Sequence, residues 1–200
     1  MALRKQTRLN YLSQTLMIFV WALPPVVVGN VWSFLLSSTG PVNALLVDAG
    51  IAASPIPYLS QPDTALLGIG AVTIWAGVPF AVLVLKSAIL DIPVEILDAA
   101  RVDGARPMQV VWNIILPFIR PTLYILGVLS VVSAFKGFDF IYVMTKGGPG
   151  TSSSTIPFLA YRTAFRDYQF GTAGAISVLA MLIVLVLAVA YIVAVRREDR

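Results

Sequence analysis

The sequence predicts an all-α, polytopic helical membrane protein with four spans, and three observations carry that prediction. Of its 200 residues, 58% are hydrophobic and only 12% charged, where a soluble domain usually carries about 25% charged residues. Four segments, 11–36, 65–90, 117–144 and 172–195, each reach the ~20 mostly apolar residues that a bilayer core demands. The fourteen lysines and arginines are spread unevenly around those segments, as topology rules require of a membrane protein.

The first span, 11–36, follows Arg4, Lys5 and Arg8. Its apolar run is too long for a signal peptide and no small-residue cleavage site closes it, so it is expected to be retained. Pro24 and Pro25 each remove a helix hydrogen bond and kink its axis. The loop 37–64 holds no basic residue, and Asn43 lacks the N-x-[ST] spacing. The second span, 65–90, is interrupted by Gly77 and Pro79 beside Trp75. The third, 117–144, is punctuated by Pro121, Gly127, Ser130, Ser133 and Gly137. Small residues let helices approach closely, and breaks free backbone groups that only protein or a water-filled cavity can satisfy. The Gly/Ser/Pro run 145–155, "TKGGPGTSSST", reads as an exposed turn-rich connector. It lacks the GxxxxGK[ST] spacing of a phosphate cradle. The fourth span, 172–195, is smooth after Gly174 and reads as scaffold or lipid-facing.

With a cytoplasmic N-terminus, ten basic residues fall on the cytoplasmic side: Arg4, Lys5, Arg8, Lys86, Arg101, Arg106, Arg120, Arg196, Arg197 and Arg200. Lys146, Arg162 and Arg166 fall opposite, and Lys136 lies within the third span. Both termini and the polar segment 91–117 are therefore expected in the cytoplasm. Cysteine and histidine are absent. That argues against zinc or transition-metal sites and against a Ser-His or Cys-His nucleophile. No basic patch interleaved with aromatics points to nucleic acid.

Lys136 and Asp139 stand three apart in "AFKGFDFIYVMT". A charge at mid-bilayer costs ~2.5–3.5 kcal/mol on insertion scales. Either the two pair on one helix face, or one or both meet a polar solute in a pathway. Trp21, Asn30 and Trp75, beside the breaks, complete the candidate substrate-pathway set. Trp21 and Trp32 equally fit the aromatic belt of a membrane interface.

The segment "IPVEILDAARVDGARPMQVVWNIILP" sets seven charged or amide side chains into this greasy chain. Pro93 suits the first turn of a helix capped by Asp91 or Ile92. Glu95 and Asp98 lie toward its positive end and Arg101 near its negative end. Gly104 fits the position just past the helix, where positive φ is cheap. Arg106, before Pro107, is pushed out of α geometry, Pro107 opens a second short helix, and Pro117 marks the bend into the third span. Ala99 and Ala100 keep part of the first helix thin, so that a second backbone can come close. A solvated amphipathic loop helix would show much of the same composition.

Asp98-Ala99-Ala100, three residues, Gly104, nine residues, then Ile114-x-Leu116-Pro117 resembles the EAA loop, E-A-A-x3-G-x9-I-x-L-P, of permease subunits of binding-protein-dependent ABC importers. The flanks "LPFIRPTL", "FDFIYVMTKGGPG", "TAFRDYQFGTAGAISV", "WALPPVVVGNVW" and "IWAGVPF" are similar to the carbohydrate-uptake branch related to maltose and glycerol-phosphate permeases. The likeness covers about residues 12–195. It implies a single transmembrane domain whose loop 91–117 is a coupling helix docking on cytoplasmic ABC ATPase subunits. Glu95, Asp98, Ala99, Ala100, Arg101, Asp103 and Gly104 would dock, while Ile114, Leu116 and Pro117 join the loop to the third span. ATP and magnesium would bind the ATPase rather than this chain, so no catalytic residue, metal or cofactor is expected here. A second permease subunit, an extracytoplasmic solute-binding protein and membrane lipid complete the implied partners, and nucleic acid is not among them. Asp98 stands where the motif usually has Glu, which keeps the charge and shortens its reach. Relatives usually have six spans, so the chain resembles the C-terminal part, with two N-terminal spans apparently lacking. The leading expectation is an inner-membrane importer subunit for a sugar or a related polyol or glycerol phosphate. An ion-coupled secondary carrier using Lys136 and Asp139, and a truncated, non-functional membrane subunit, are the alternatives.

Overall fold

The computed structural model describes residues 8–198, with side chains described through residue 193. Arg4, Lys5, Arg200 and the side chains of Arg196 and Arg197 lie outside that set. Every regular element among the described residues is helical. In chain order these are α1 (Arg8–Ala22), α2 (Pro25–Leu35), α3 (Pro41–Asp48), α4 (Pro62–Leu90), α5 (Val94–Val102), α6 (Pro107–Val110), a π-helical turn (Val111–Ile115), α7 (Leu116–Lys136), α8 (Asp139–Met144), α9 (Ile156–Phe165) and α10 (Phe170–Glu198). Pro62–Leu90, Pro107–Met144 and Phe170–Val193 are long and apolar enough to cross a membrane. With α1 and α2 counted as one broken span they make four.

The breaks differ from expectation in informative ways. The first span does stop at Leu23-Pro24: Pro24 is extended, with ψ 134°, because it precedes Pro25, and Pro25 starts α2. α4, by contrast, runs unbroken through Gly77 and Pro79. A proline there deletes a single backbone bond, and the buried ring of Pro79 is held by the long helix on either side. The third span begins at Pro107 rather than at residue 117. Pro117 lies inside this helix and does not interrupt it. The i→i−5 bond from Leu116 N–H to the Val111 carbonyl widens the helix just before Pro117, and this relieves the clash that a proline ring makes with the carbonyl four residues back. α7 passes through Pro121, Gly127, Ser130 and Ser133 and ends at Lys136.

The chain divides into two compact units. The first comprises residues 8–22 and Gly77–Ser130, and its buried cluster is Ile92, Leu97, Ala100 and Val110, with Ile89, Ala105, Ile114 and Ile115 against it. The second comprises Leu23–Ala76 and 131–198, with Ile69, Ile141 and Phe158 buried together and Phe138, Phe140 and Met144 around them. The divisions within α4 and α7 fall at Ala76-Gly77 and Ser130-Val131, positions that the small-residue pattern marks. In the second unit α2 packs on α8, and buried Gly29 lies against Val143. α10 packs on α9, while its apolar surface is left almost wholly exposed, as a lipid-facing span requires.

Asn43 ties the two ends of the 37–56 stretch together. Asn43 is buried, its amide donates to the carbonyls of Ser37 at 3.0 Å and Ile56 at 2.9 Å, and its oxygen accepts from Ile56 N–H at 2.8 Å. Three bonds to backbone groups satisfy donors and acceptors that a non-repetitive loop would otherwise leave open.

Candidate functional site

The polar segment after α4 is a short helix with its own core. Pro93 caps α5, one residue later than expected, and Glu95 and Arg101 occupy its first and last turns, each favourable with the helix dipole. Asp98 pairs with Arg101 one turn on. Gly104 takes φ +74°. Its N–H donates to the Arg101 carbonyl at 3.0 Å, and Ala105 N–H donates to the Ala100 carbonyl at 2.9 Å. This is a Schellman stop, and the Ala100–Ala105 contact in the core cluster supplies its customary hydrophobic closure. Arg106 is extended, with ψ 151°, before Pro107, and its N–H donates to the Gln109 side chain at 2.7 Å.

The structure sorts the expected docking residues into two faces. Glu95, Asp98, Ala99, Arg101, Asp103 and Gly104 are exposed. Ala100 is buried at 8%, within the core that ties α5 to α6 and the π turn. The two alanines therefore do different things. Ala99 thins the outer surface, and Ala100 lets the two short helices close on each other. Ile114 and Leu116 are half-buried at the junction with α7, and Pro117 is exposed. Nothing within 4 Å would meet a Cβ at Gly104, so its left-handed conformation alone selects glycine and the space beside it is open.

Lys136 and Asp139 do not share a helix. Gly137 and Phe138 separate α7 from α8, so Lys136 ends one helix and Asp139 starts the next. Each matches the dipole of its own helix end. Both are exposed and no ion pair joins them among the described residues. Spacing of three predicts pairing only while the helix continues, and here it does not. Trp21, in the first unit, stacks on Phe80 with centroids 5.9 Å apart. Trp75 meets Trp32 edge-on at 5.3 Å. The Asn30 amide is satisfied by the Val26 carbonyl of its own helix at 2.8 Å. Among the described residues of the second unit, no hydrogen bond or ring contact brings Asn30, Trp75, Lys136 and Asp139 together.

The 145–155 segment corrects the expectation of an exposed connector. Ser153 is fully buried, within 2.7 Å of the Thr145 hydroxyl, and donates to the Gly148 carbonyl at 2.7 Å. Thr155 donates to the Gly137 carbonyl at 3.3 Å, which ties the run back to the α7–α8 break. Small polar residues read as solvent-facing in sequence, but here Ser153 bonds the loop's own backbone and Thr155 that of the preceding break. Beyond it a ladder of rings runs along α8 and α9. Phe138–Tyr161, Tyr142–Tyr161 and Tyr161–Phe165 centroids lie 4.9, 5.6 and 5.2 Å apart. Aromatic spacing in "FDFIYVM" and "IPFLAYRTAF" was the signal available for it.

Comparison with known proteins sets this geometry in context. Residues 1–198 match the family described as "Binding-protein-dependent transport system inner membrane component". The trehalose/maltose transport system permease protein MalF of Thermococcus litoralis is 31% identical over 180 residues, covering 90% of this chain and 60% of MalF. The sn-glycerol-3-phosphate transport system permease protein UgpA of Agrobacterium fabrum is 32% identical over 176 residues, covering 87% and 59%. The chain thus spans about three fifths of the length of these curated relatives. Among solved structures, a bacterial ABC transporter involved in the import of the acidic polysaccharide alginate superposes with a TM-score of 0.86 at 26% identity, over 98% of this chain and 68% of that one. The bacterial alginate ABC transporter in complex with an alginate pentasaccharide-bound periplasmic protein gives 0.85 at 26% identity, over 100% and 70%.

Proposed function

The chain belongs to the family of binding-protein-dependent transport system inner membrane components, and on that premise we propose that it is a permease subunit of an ATP-driven importer for a sugar or a related polyol or glycerol phosphate. The observation that carries this reading is α5. It ends at Gly104 with an exposed polar face outward and a closed apolar core behind. An exposed helix anchored by its own core to a spanning helix is what a lever needs: a partner can grip one face, and the core passes the displacement on. In this reading cytoplasmic ABC ATPase subunits hold ATP and magnesium and grip Glu95, Asp98, Ala99, Arg101 and Asp103. Their nucleotide state acts through differential contact with α5. A second permease subunit completes the pathway and a solute-binding protein delivers the solute. The alginate transporter solved with its periplasmic protein is a precedent for that arrangement.

The basic residues support a topology with both termini and the 91–117 loop in the cytoplasm, and with 145–155 and α9 on the opposite side. Lys136 and Asp139 flank non-helical backbone at the end of a spanning helix. Such backbone is tolerated at membrane depth where it is buried in protein or lines a water-filled cavity, and this supports a place for the pair along the solute path.

Gly104→Val tests the coupling role. The left-handed φ disfavours valine at the grip point without filling a packed site. Uptake by the assembled transporter should fall about tenfold or more, in the range of ordinary allosteric coupling, while membrane insertion and ATPase turnover persist. Unaltered uptake in this variant removes α5 from the coupling role. Lys136→Ala and Asp139→Ala should each lower uptake while the ATPase still copurifies; normal uptake in both takes them out of the path.

A further inference from the structure

Between the end of α8 and α9, within the second unit, lies an open cavity of about 270 Å³ whose polar lining is all cationic or phenolic. Lys146, Arg162 and Arg166 supply the charge, and Tyr142, Tyr161 and Phe165 form much of the aromatic wall. No carboxylate lines it, and none of the three cations is ion-paired among the described residues, although Asp167 follows Arg166 in sequence. We propose that this cavity is a binding site for an anionic, ring-bearing small molecule, with the three cations taking a carboxylate or phosphate and the aromatic wall taking the apolar face of the ring.

One feature marks the site as special, and two more are electrostatic costs that an anion offsets. Lys146 takes φ +54°, a left-handed position just past a helix end that glycine would occupy at no steric penalty. Non-glycine residues held there often mark functional sites. Arg162 and Arg166, four apart, are like charges at repelling spacing. Finally, the carbonyl ends of α8 and α9 supply at most about half a negative charge each, so three full positive charges leave a net positive cavity. The chemistry of the lining is selective as well. A guanidinium presents a planar fork that fits carboxylate and phosphate oxygens in pairs and also stacks on rings. The Tyr161 phenol is raised above its ordinary value by hydrogen bonding with the Tyr142 side chain, with burial adding to the effect.

This site goes beyond the importer reading, and its test needs no ATP hydrolysis, so its failure leaves that reading intact. The full chain, with whatever subunits copurify, is placed in phosphatidylcholine nanodiscs and titrated calorimetrically with glucuronate, glucose 6-phosphate, inorganic phosphate and glucose. The two anionic sugars should bind about tenfold or more tighter than glucose, the gain of roughly one good charge-assisted contact. Arg162→Gln with Arg166→Gln should abolish that preference, and Tyr161→Ala should weaken the anionic sugars toward inorganic phosphate. Arg162→Lys, which keeps the charge, should retain part of it and guards against misfolding. Arg106→Gln, an exposed cation in the other unit, should leave binding unchanged. Replacing part of the lipid with phosphatidylglycerol separates the sources of anion. Competition with glucuronate assigns the cavity to a lipid phosphate as well, within the same chemistry, and no competition reserves it for a soluble ligand. Equal binding of glucose and glucuronate, or a preference that survives the double Gln variant, overturns the proposal. So does binding of an acidic partner protein without any small anion.

Discussion

Gly104 and Gly147 both take positive φ, +74° and +83°, and both follow the end of a helix in a short polar segment. What surrounds them differs. Around Gly104 a Cβ would meet nothing within 4 Å, whereas at Gly147 it would meet the Phe158 ring at 2.5 Å and the Ser154 hydroxyl at 3.1 Å. The 91–117 loop buries Ile92, Leu97, Ala100 and Val110 and turns Glu95, Asp98, Arg101 and Asp103 outward, with Val102, Met108 and Trp112 exposed beside them. The 145–155 loop instead draws the Ser153 and Thr155 hydroxyls onto backbone carbonyls and buries Ser153. The first is built to present a surface and the second to close one. A glycine is therefore not a uniform signal: one is selected by backbone conformation alone, the other by conformation and lack of space together.

The contrast can be broken most directly at the glycines. Gly147→Ala combines a left-handed penalty of about 1–2 kcal/mol with overpacking of about 1–3 kcal/mol against Phe158, so a loss of roughly 3 kcal/mol is expected in thermal unfolding of the detergent-solubilised protein. Gly104→Ala should show only the first part, and equal losses at the two positions would erase the distinction. Ser153→Ala comes next. Removing a fully buried hydroxyl that bonds Thr145 and the Gly148 carbonyl should destabilise by about 1–3 kcal/mol, read in the same unfolding assay. The smallest stability effect belongs to Asp98→Asn. Its partner and it are each about half exposed, at 52% and 53%, and such pairs contribute about 0–1 kcal/mol. For this variant the sharper measurement is copurification of the ATPase, which should weaken while the melting temperature barely moves.

The same contrast explains what could be read in advance. Spans were legible because apolar length is a property of the chain alone, and the Pro24-Pro25 break because two adjacent prolines leave no α-helical alternative. The Schellman stop at Gly104 was legible because its signals are local: charges ordered along α5, then glycine, then X-Pro. Pro79 misled because a long helix absorbs the loss of one bond. Lys136 and Asp139 misled because their spacing carries meaning only if the helix continues through Gly137, whereas α7 ends at Lys136 and the Gly137 carbonyl accepts from Thr155, eighteen residues away. The inward fold of 145–155 and the role of Asn43 were invisible for the same reason. Composition records that a residue is polar and does not record whether water or backbone satisfies it.

The widened turn at Val111–Ile115 has a practical corollary for anyone mapping this region. Its bonds span one residue more than those of an α-helix, so side chains beyond Leu116 lag those before Val111 by about one residue, or roughly 100° of azimuth. Wheel diagrams drawn straight through Pro107–Lys136 would put probes on the wrong flank. Paired labels or engineered cross-links that straddle the turn have to be set one position further along than ordinary counting suggests.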